Sequence, residues 1–264
     1  MNVGPATRRT LVGALVLVAS LLPAVATARQ YPGLGPTNHV WGRFRPGAWK
    51  RIRIVTQTYG PDGQLTATTN THQRIELVKV DAETYTTEIE ASIEVAGRTL
   101  DAPVQIDTRP YYALTSELVD LGDWKMAGSG KVDVEEHEIR CDLYTAEVAD
   151  DGLRRTARVY VSDVLAPHVL RIETSTVSLD SMTELGTSLY EVLSVELPYR
   201  LLGENRVAAL AREIRRSSKG ARITVQFLDL GVPGGIVAEH SKELDQEGRL
   251  IRHNTLEVID YAAP

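Results

Sequence analysis

One cysteine, Cys141, stands in a chain of 264 residues, and aromatic residues make up only 6% of it. A single cysteine excludes an intramolecular disulfide, so in an oxidising compartment the core and the backbone ladder must supply stability. Cys141 shares its strand face at period two with Ile139 and Leu143, and it reads as a small buried apolar residue. His137 lies four positions back on that face, too far along an extended chain to activate the thiol.

Metal-ligand spacing is also lacking. The histidines His39, His72, His137, His168, His240 and His253 are scattered, and no pair has the interval of a known site. In the richest cluster, Glu135-Glu136-His137-Glu138, alternation along a strand sends Glu136 and Glu138 away from Glu135 and His137. Only a bulge would bring them to one ion.

Nucleophile turns are missing too. Gly-x-Ser-x-Gly does not occur, and Gly128-Ser129-Gly130 reads as a flexible turn. Gly231-Val232-Pro233-Gly234-Gly235 has the glycines of a phosphate loop without its lysine or its helix, and reads as a tight bend between strands. Paired carboxylates of the glycosidase kind come together only through folding, and 35 acidic residues single out no pair. No catalytic, cofactor-binding or metal-ligating residue is therefore assigned, and no cofactor is expected.

Long hydrophobic runs are confined to one place. Leu11 to Val25 is an apolar block of 15 residues, shorter than the roughly 20 that cross a bilayer core. Arg8 and Arg9 precede it and Ala26-Thr27-Ala28 follows, which is the three-part layout of a cleavable signal peptide over residues 1–28. The expected location is extracytoplasmic, periplasmic or secreted, after cleavage near Ala28, with no stable transmembrane span thereafter. Arg8-Arg9-Thr10-Leu11 loosely resembles a twin-arginine export signal, and no cysteine near the cleavage region provides for a lipid anchor.

Positive charge is in deficit. Loss of residues 1–28 takes Arg8 and Arg9 away and moves the formal charge from −6 to −8. An acidic surface disfavours nucleic acid and anionic membranes as partners. Arg212, Arg215 and Arg216 form the one basic run, read here as the solvated side of a short helix.

What remains is strand pattern. Residues 29–48, rich in Pro and Gly, read as an extended leader, and Trp41, Phe44 and Trp49 around the start of the domain read either as a staple that tucks it onto the sheet or as the rim of a sugar or lipid site. Residues 49–264 read as an antiparallel β domain, with two similar halves, about 49–130 and 131–264, as one organisation. Arg51-Ile52-Arg53-Ile54 and Glu88 to Val95 alternate apolar with charged residues, and as neighbours they would match arginines with glutamates.

Pro61-Asp62-Gly63, Asp150-Asp151-Gly152 and Gln246-Glu247-Gly248 are hairpin signals. Gly97 and Gly186 each follow one of them by 34 residues, an echo in favour of tandem halves. Thr66 to Gln73 reads as a polar projecting ribbon, with threonines on both faces. Strands are expected from Lys131 to Val177, Tyr190 to Leu197, Ala221 to Leu228 and Arg249 to Ile259. Glu204 to Arg216 reads as a helix, with Val207, Leu210, Ala211 and Ile214 in one stripe. Asp107 to Gly122 stays open between a loop, for Pro110, Tyr111 and Tyr112, and a short helix, for Leu114, Leu118 and Leu121.

The expected fold class is thus all-β, mainly antiparallel: a curved meander sheet or half-barrel, or two packed sheets, with one or two short helices. This outline resembles extracytoplasmic half-barrel proteins of the lipoprotein-carrier kind. Trp41-Gly42-x-Phe44-x-Pro46-Gly47-x-Trp49-Lys50 and Val232-Pro233-Gly234-Gly235 are similar to segments of uncharacterised secreted bacterial proteins. The first resemblance implies a curved sheet around an apolar groove that holds acyl chains. Three functions follow as expectations: an exported non-enzymatic protein binding a lipid or other apolar or amphipathic ligand, an envelope or surface interaction protein without a small-molecule ligand, and a secreted hydrolase.

Overall fold

A computed structural model describes residues 35–95, 97–111, 118, 121 and 124–264. The signal-peptide reading of residues 1–28 lies outside them. Apart from one 3-10 turn, Pro36–Asn38, the described elements are strands. They are β1 Trp49–Tyr59, β2 Leu65–Val80, β3 Thr84–Val95, β4 Arg98–Asp101, β5 Gln105–Pro110, β6 Lys125–Val134 and β7 His137–Asp150. The series continues with β8 Leu153–Val161, β9 Val169–Ser178, β10 Glu184–Leu201, β11 Glu204–Ser217, β12 Gly220–Leu228, β13 Ile236–Leu244 and β14 Leu250–Ala262. Among the described residues no helix is long and apolar enough to cross a membrane.

All fourteen strands belong to one antiparallel sheet in the order β4-β3-β2-β1-β14-β13-β12-β11-β10-β9-β8-β7-β6, with β5 beside β4 on the outer side of β3. Nearly every strand pairs with its sequence neighbour, as short connections dictate. The exception is β5, which pairs with β3, while β1 pairs with β14 as well as β2, so the first and last strands of the domain lie together inside the sheet. The sheet therefore runs without a break from residues 49–130 into residues 131–264.

The Gly-led hairpins form where expected. Gly63, Gly152 and Gly248 all take left-handed φ, at 77°, 73° and 79°, and close β1–β2, β7–β8 and β13–β14. The 34-residue echo is not structural: Gly97 turns at φ 75° between β3 and β4, whereas Gly186 lies within β10. Gly128-Ser129-Gly130 is likewise not a turn but part of β6, where the Tyr160 ring covers Gly130 so closely that a Cβ would sit 2.8 Å from it.

Glu204 to Arg216 is a strand, not a helix. The Leu202-Gly203 turn, with φ 49° and 91°, folds β11 back on β10, and β12 pairs on its other side. Alternation splits the supposed stripe: Val207 and Ala211 face one side, Leu210 and Ile214 the other, and Val207 is 60% exposed. Two neighbouring ladders outweigh a helical spacing of four apolar residues. The arginine and glutamate strands do not meet either, because β2 lies between β1 and β3. Arg53 instead pairs with Glu257 of β14 at 2.9 Å. The threonine segment is the start of β2, exposed from Thr66 to Thr68 and paired there with β1 alone, since β3 joins only at Asn70.

Curvature is visible in who touches whom. Leu77 and Tyr85, from β2 and β3, share one buried cluster with Tyr144, Ala146, Ala157, Val159 and Ile172, from the other wing of the sheet. The face carrying them is therefore concave. Between the wings sit Trp41 and Ala48 of the leader, and Tyr111, Leu118, Leu121 and Trp124 from the stretch that joins β5 at one edge to β6 at the other. At the far ends of β9–β12 a second cluster collects Val132, Val134, Cys141, Leu170, Val192, Ala211 and Leu228. There the tip of the β6–β7 hairpin reaches β10, and Glu135 accepts hydrogen bonds from the Ser194 hydroxyl and, at 3.2 Å, the Val195 amide.

Candidate functional site

Cross-strand register places side chains in rows over the concave face, because directly opposed residues in an antiparallel ladder share a side. One row runs Ser188, Arg215, Arg222, Glu243 and Arg252 across β10 to β14. The next row toward the core runs Ile172, Tyr190, Glu213, Thr224, Ser241 and Asn254 across β9 to β14. The middle of the concave face is thus polar, and its groups satisfy one another. Arg215 donates to Glu213 at 2.7 Å, Ser188 donates to the same carboxylate at 3.4 Å, and Asn254 donates to Ser241 at 3.2 Å. Gln226 donates to Glu239 at 2.9 Å.

Two cavities lined by described residues lie on this face. The larger, about 580 Å³, is lined by Arg155 of β8, by Thr174, Thr176 and Ser188, by Arg215 and Arg222, and by Leu121. Small floor residues make the space. Gly186 has no room for more, since a Cβ there would come within 3.1 Å of the Arg216 carbonyl oxygen. The smaller cavity, about 220 Å³, is lined by Val40, Pro167, Val169, Ile172, Tyr190, Leu228 and Ile236, with Glu213, Arg215 and Gln226 on its polar side. Arg215 lines both, so the two spaces adjoin along one wall. Burial pushes the Tyr190 phenol pKa up, with the Glu213 carboxylate adding to it, so this ring stays neutral.

The leader contributes Val40 to the apolar side of the smaller cavity. Gly234 and Gly235, at φ 73° and 72°, turn the β12–β13 bend so that the Gly234 amide donates to the Val40 carbonyl at 3.0 Å. A Cβ on Gly234 would lie 2.7 Å from the Trp41 ring. Residues 231–235 are thus a bend between strands that seats the leader. His39, 3% exposed, accepts from the Trp41 and Gly42 amides at 3.2 and 3.3 Å through Nδ1, and burial lowers its pKa to about 4. Lys50 is buried as well, donates to the Ile236 carbonyl at 3.0 Å, and has its pKa lowered by burial to about 8 against the opposing pull of Glu239.

The remaining sequence candidates do not converge. Cys141 is 2% exposed, its thiol pKa raised chiefly by burial, while His137 is exposed and bonded to the Glu135 carbonyl. Glu135 and Glu136 occupy the β6–β7 turn with positive φ. Among the described residues no three His, Cys, Asp or Glu side chains gather closely enough to hold a metal ion. Trp41 and Phe44 pack in or against the core, but Trp49 lies on β1 between the Arg51 and Arg74 guanidinium groups, 5.4 and 5.2 Å from its ring. Sequence reasoning missed Arg155 and Arg222, and took Arg215 for the solvated side of a helix. The available signal was that Arg215 and Arg216, adjacent in sequence, must point to opposite sides if Glu204 to Arg216 is extended.

No family model and no curated protein matches the chain. Among solved structures it is similar to a Bacteroides fragilis protein described as a candidate exported protein with YmcC-like fold, at 9% identity over 82% of this chain and 97% of that one, TM-score 0.33. It is also similar to a candidate lipoprotein from Parabacteroides distasonis, at 8% identity over 85% and 98% of the two chains, TM-score 0.35. A DUF1329 family protein from Desulfovibrio piger aligns at 8% identity over 83% and 85%, TM-score 0.31.

Proposed function

We propose that this is an exported, non-enzymatic β protein whose concave groove binds an amphipathic ligand outside the cytoplasm. The export part rests on the basic, apolar and Ala-x-Ala succession of residues 1–28. The binding part rests on one observation: an apolar chamber of about 220 Å³ adjoins one of about 580 Å³, carrying arginine and hydroxyl side chains in its lining, on the same face. Binding sites for small molecules are concave spaces of roughly 300–1,000 Å³ with apolar walls and a few placed polar groups. In this reading the apolar part of the ligand lies against Ile172, Leu228 and Ile236 and removes their surface from water, worth roughly 25 cal/mol per Å².

An environment-sensitive acyl probe, titrated into the folded and delipidated protein, tests the proposal. Saturable binding at one site, lost in Ile236→Trp because the larger ring occupies the apolar chamber, is the expected result. Absence of saturable binding to the native protein overturns it.

A further inference from the structure

We infer that the ligand's polar end is an anion, a carboxylate or phosphate terminating an apolar chain, seated among Arg155, Arg215 and Arg222. This rests on the groove reading above and adds the chemistry of the head group. Although the whole chain is acidic, at −6, the described residues lining the larger cavity include Arg155, Arg215, Lys219 and Arg222, against the single carboxylate of Glu243. That carboxylate is already engaged by Arg252 at 3.1 Å.

The arrangement inside the row strengthens the inference. Arg215 and Arg222 stand directly opposite each other on β11 and β12, a like-charge pairing that weakens a ladder. Glu213 braces Arg215 at 2.7 Å, and Glu239 and Ser241 brace Arg222 at 3.6 and 3.4 Å. Both arginines are thus held in place along the concave wall. Arg155, half-buried across the small floor formed by Thr176 and Gly186, has no ion pair among the described residues. Three guanidinium groups around a floor of hydroxyls and glycine supply forked donors and positive potential suited to a carboxylate or phosphate.

The apolar chamber continues from this seat. Along β12 the wall passes from Arg222 at the basic cavity to Leu228 at the apolar one, about 20 Å of extended strand at the usual rise. An acidic head at Arg155 and Arg222 therefore directs a chain past Arg215 toward Leu228 and Ile236.

The test compares three probes on the full mature protein: a fluorescent fatty acid, its uncharged methyl ester and a monoacyl phosphate of equal chain length. The fatty acid, the phosphate or both should bind about tenfold or more tightly than the ester, the gain expected of charge-assisted hydrogen bonds. The acid arm and the phosphate arm together identify which head the seat takes. Raising salt to about 0.5 M should weaken binding of the anions and leave the ester unchanged. Arg155→Gln with Arg222→Gln should bring the anions down to the affinity of the ester, with an unchanged thermal midpoint as proof of folding. Equal affinity for ester and anions overturns the anionic head and leaves the groove reading standing. No saturable binding of any probe overturns both.

Discussion

At the level of single residues the interior is set by groups kept neutral through burial. His39 has its pKa lowered to about 4, from 6.5 in the unfolded chain, because its ring lies between Tyr85 and Tyr111 away from water. Its depressed value gives stability that is complete above about pH 6.5 and is lost as pH falls toward 4, since there the unfolded chain takes up a proton that the folded one refuses. Acid titration of the unfolding free energy should lose up to about 3 kcal/mol in that window. His39→Asn, which retains an acceptor for the Trp41 and Gly42 amides, should flatten the curve. Cys141 was legible as buried from its apolar neighbours at period two, and the fold places it in the second core cluster. A thiol reagent should label it only after denaturation, and Cys141→Ser should cost about 1–2 kcal/mol for a hydroxyl in an apolar site. Rapid labelling of the native protein would contradict this.

At the level of elements, local signals were legible wherever geometry is local. Gly63, Gly152 and Gly248 announced their hairpins because only a left-handed residue closes them without strain. Alternation marked β1 and β3 because each has one face toward the core. β11 failed that test, since the two sheet faces it joins both carry small or apolar residues, and Val207, Leu210, Ala211 and Ile214 fall by coincidence on a helical interval. The turn chemistry at Gly203 and Gly220, bracketing the segment with left-handed φ of 91° and 134°, was the better guide. The leader illustrates a second kind of dependence, for it is held by a bend more than 180 residues away in sequence. Gly234→Ala should destabilise the protein by about 1–3 kcal/mol, because its Cβ meets Trp41 and its φ is left-handed. Chemical denaturation reads that loss directly, and an unchanged midpoint would contradict the docking role of the bend.

At the level of the whole molecule, the site was not legible because it is made by register. Nothing in the order of residues says that β1 pairs with β14, or that Arg215 stands opposite Arg222; these follow only once the sheet is threaded. The alternation from Glu88 to Val95 locates apolar residues Ile89, Ala91 and Ile93 on β3, but the two cavities described above lie on the other wing. Ile93→Glu, on β3, should therefore leave acyl-probe affinity within about twofold of the native value, whereas Ile236→Trp should abolish binding.

Whether the groove carries an amphipathic ligand is decided by mass spectrometry under native conditions, on protein recovered from the cells that make it. A mature chain beginning near Arg29 that carries a bound species, released on denaturation, with an apolar chain and an acidic head is the expected result. A chain that is ligand-free as isolated and binds none of the three acyl probes would contradict it.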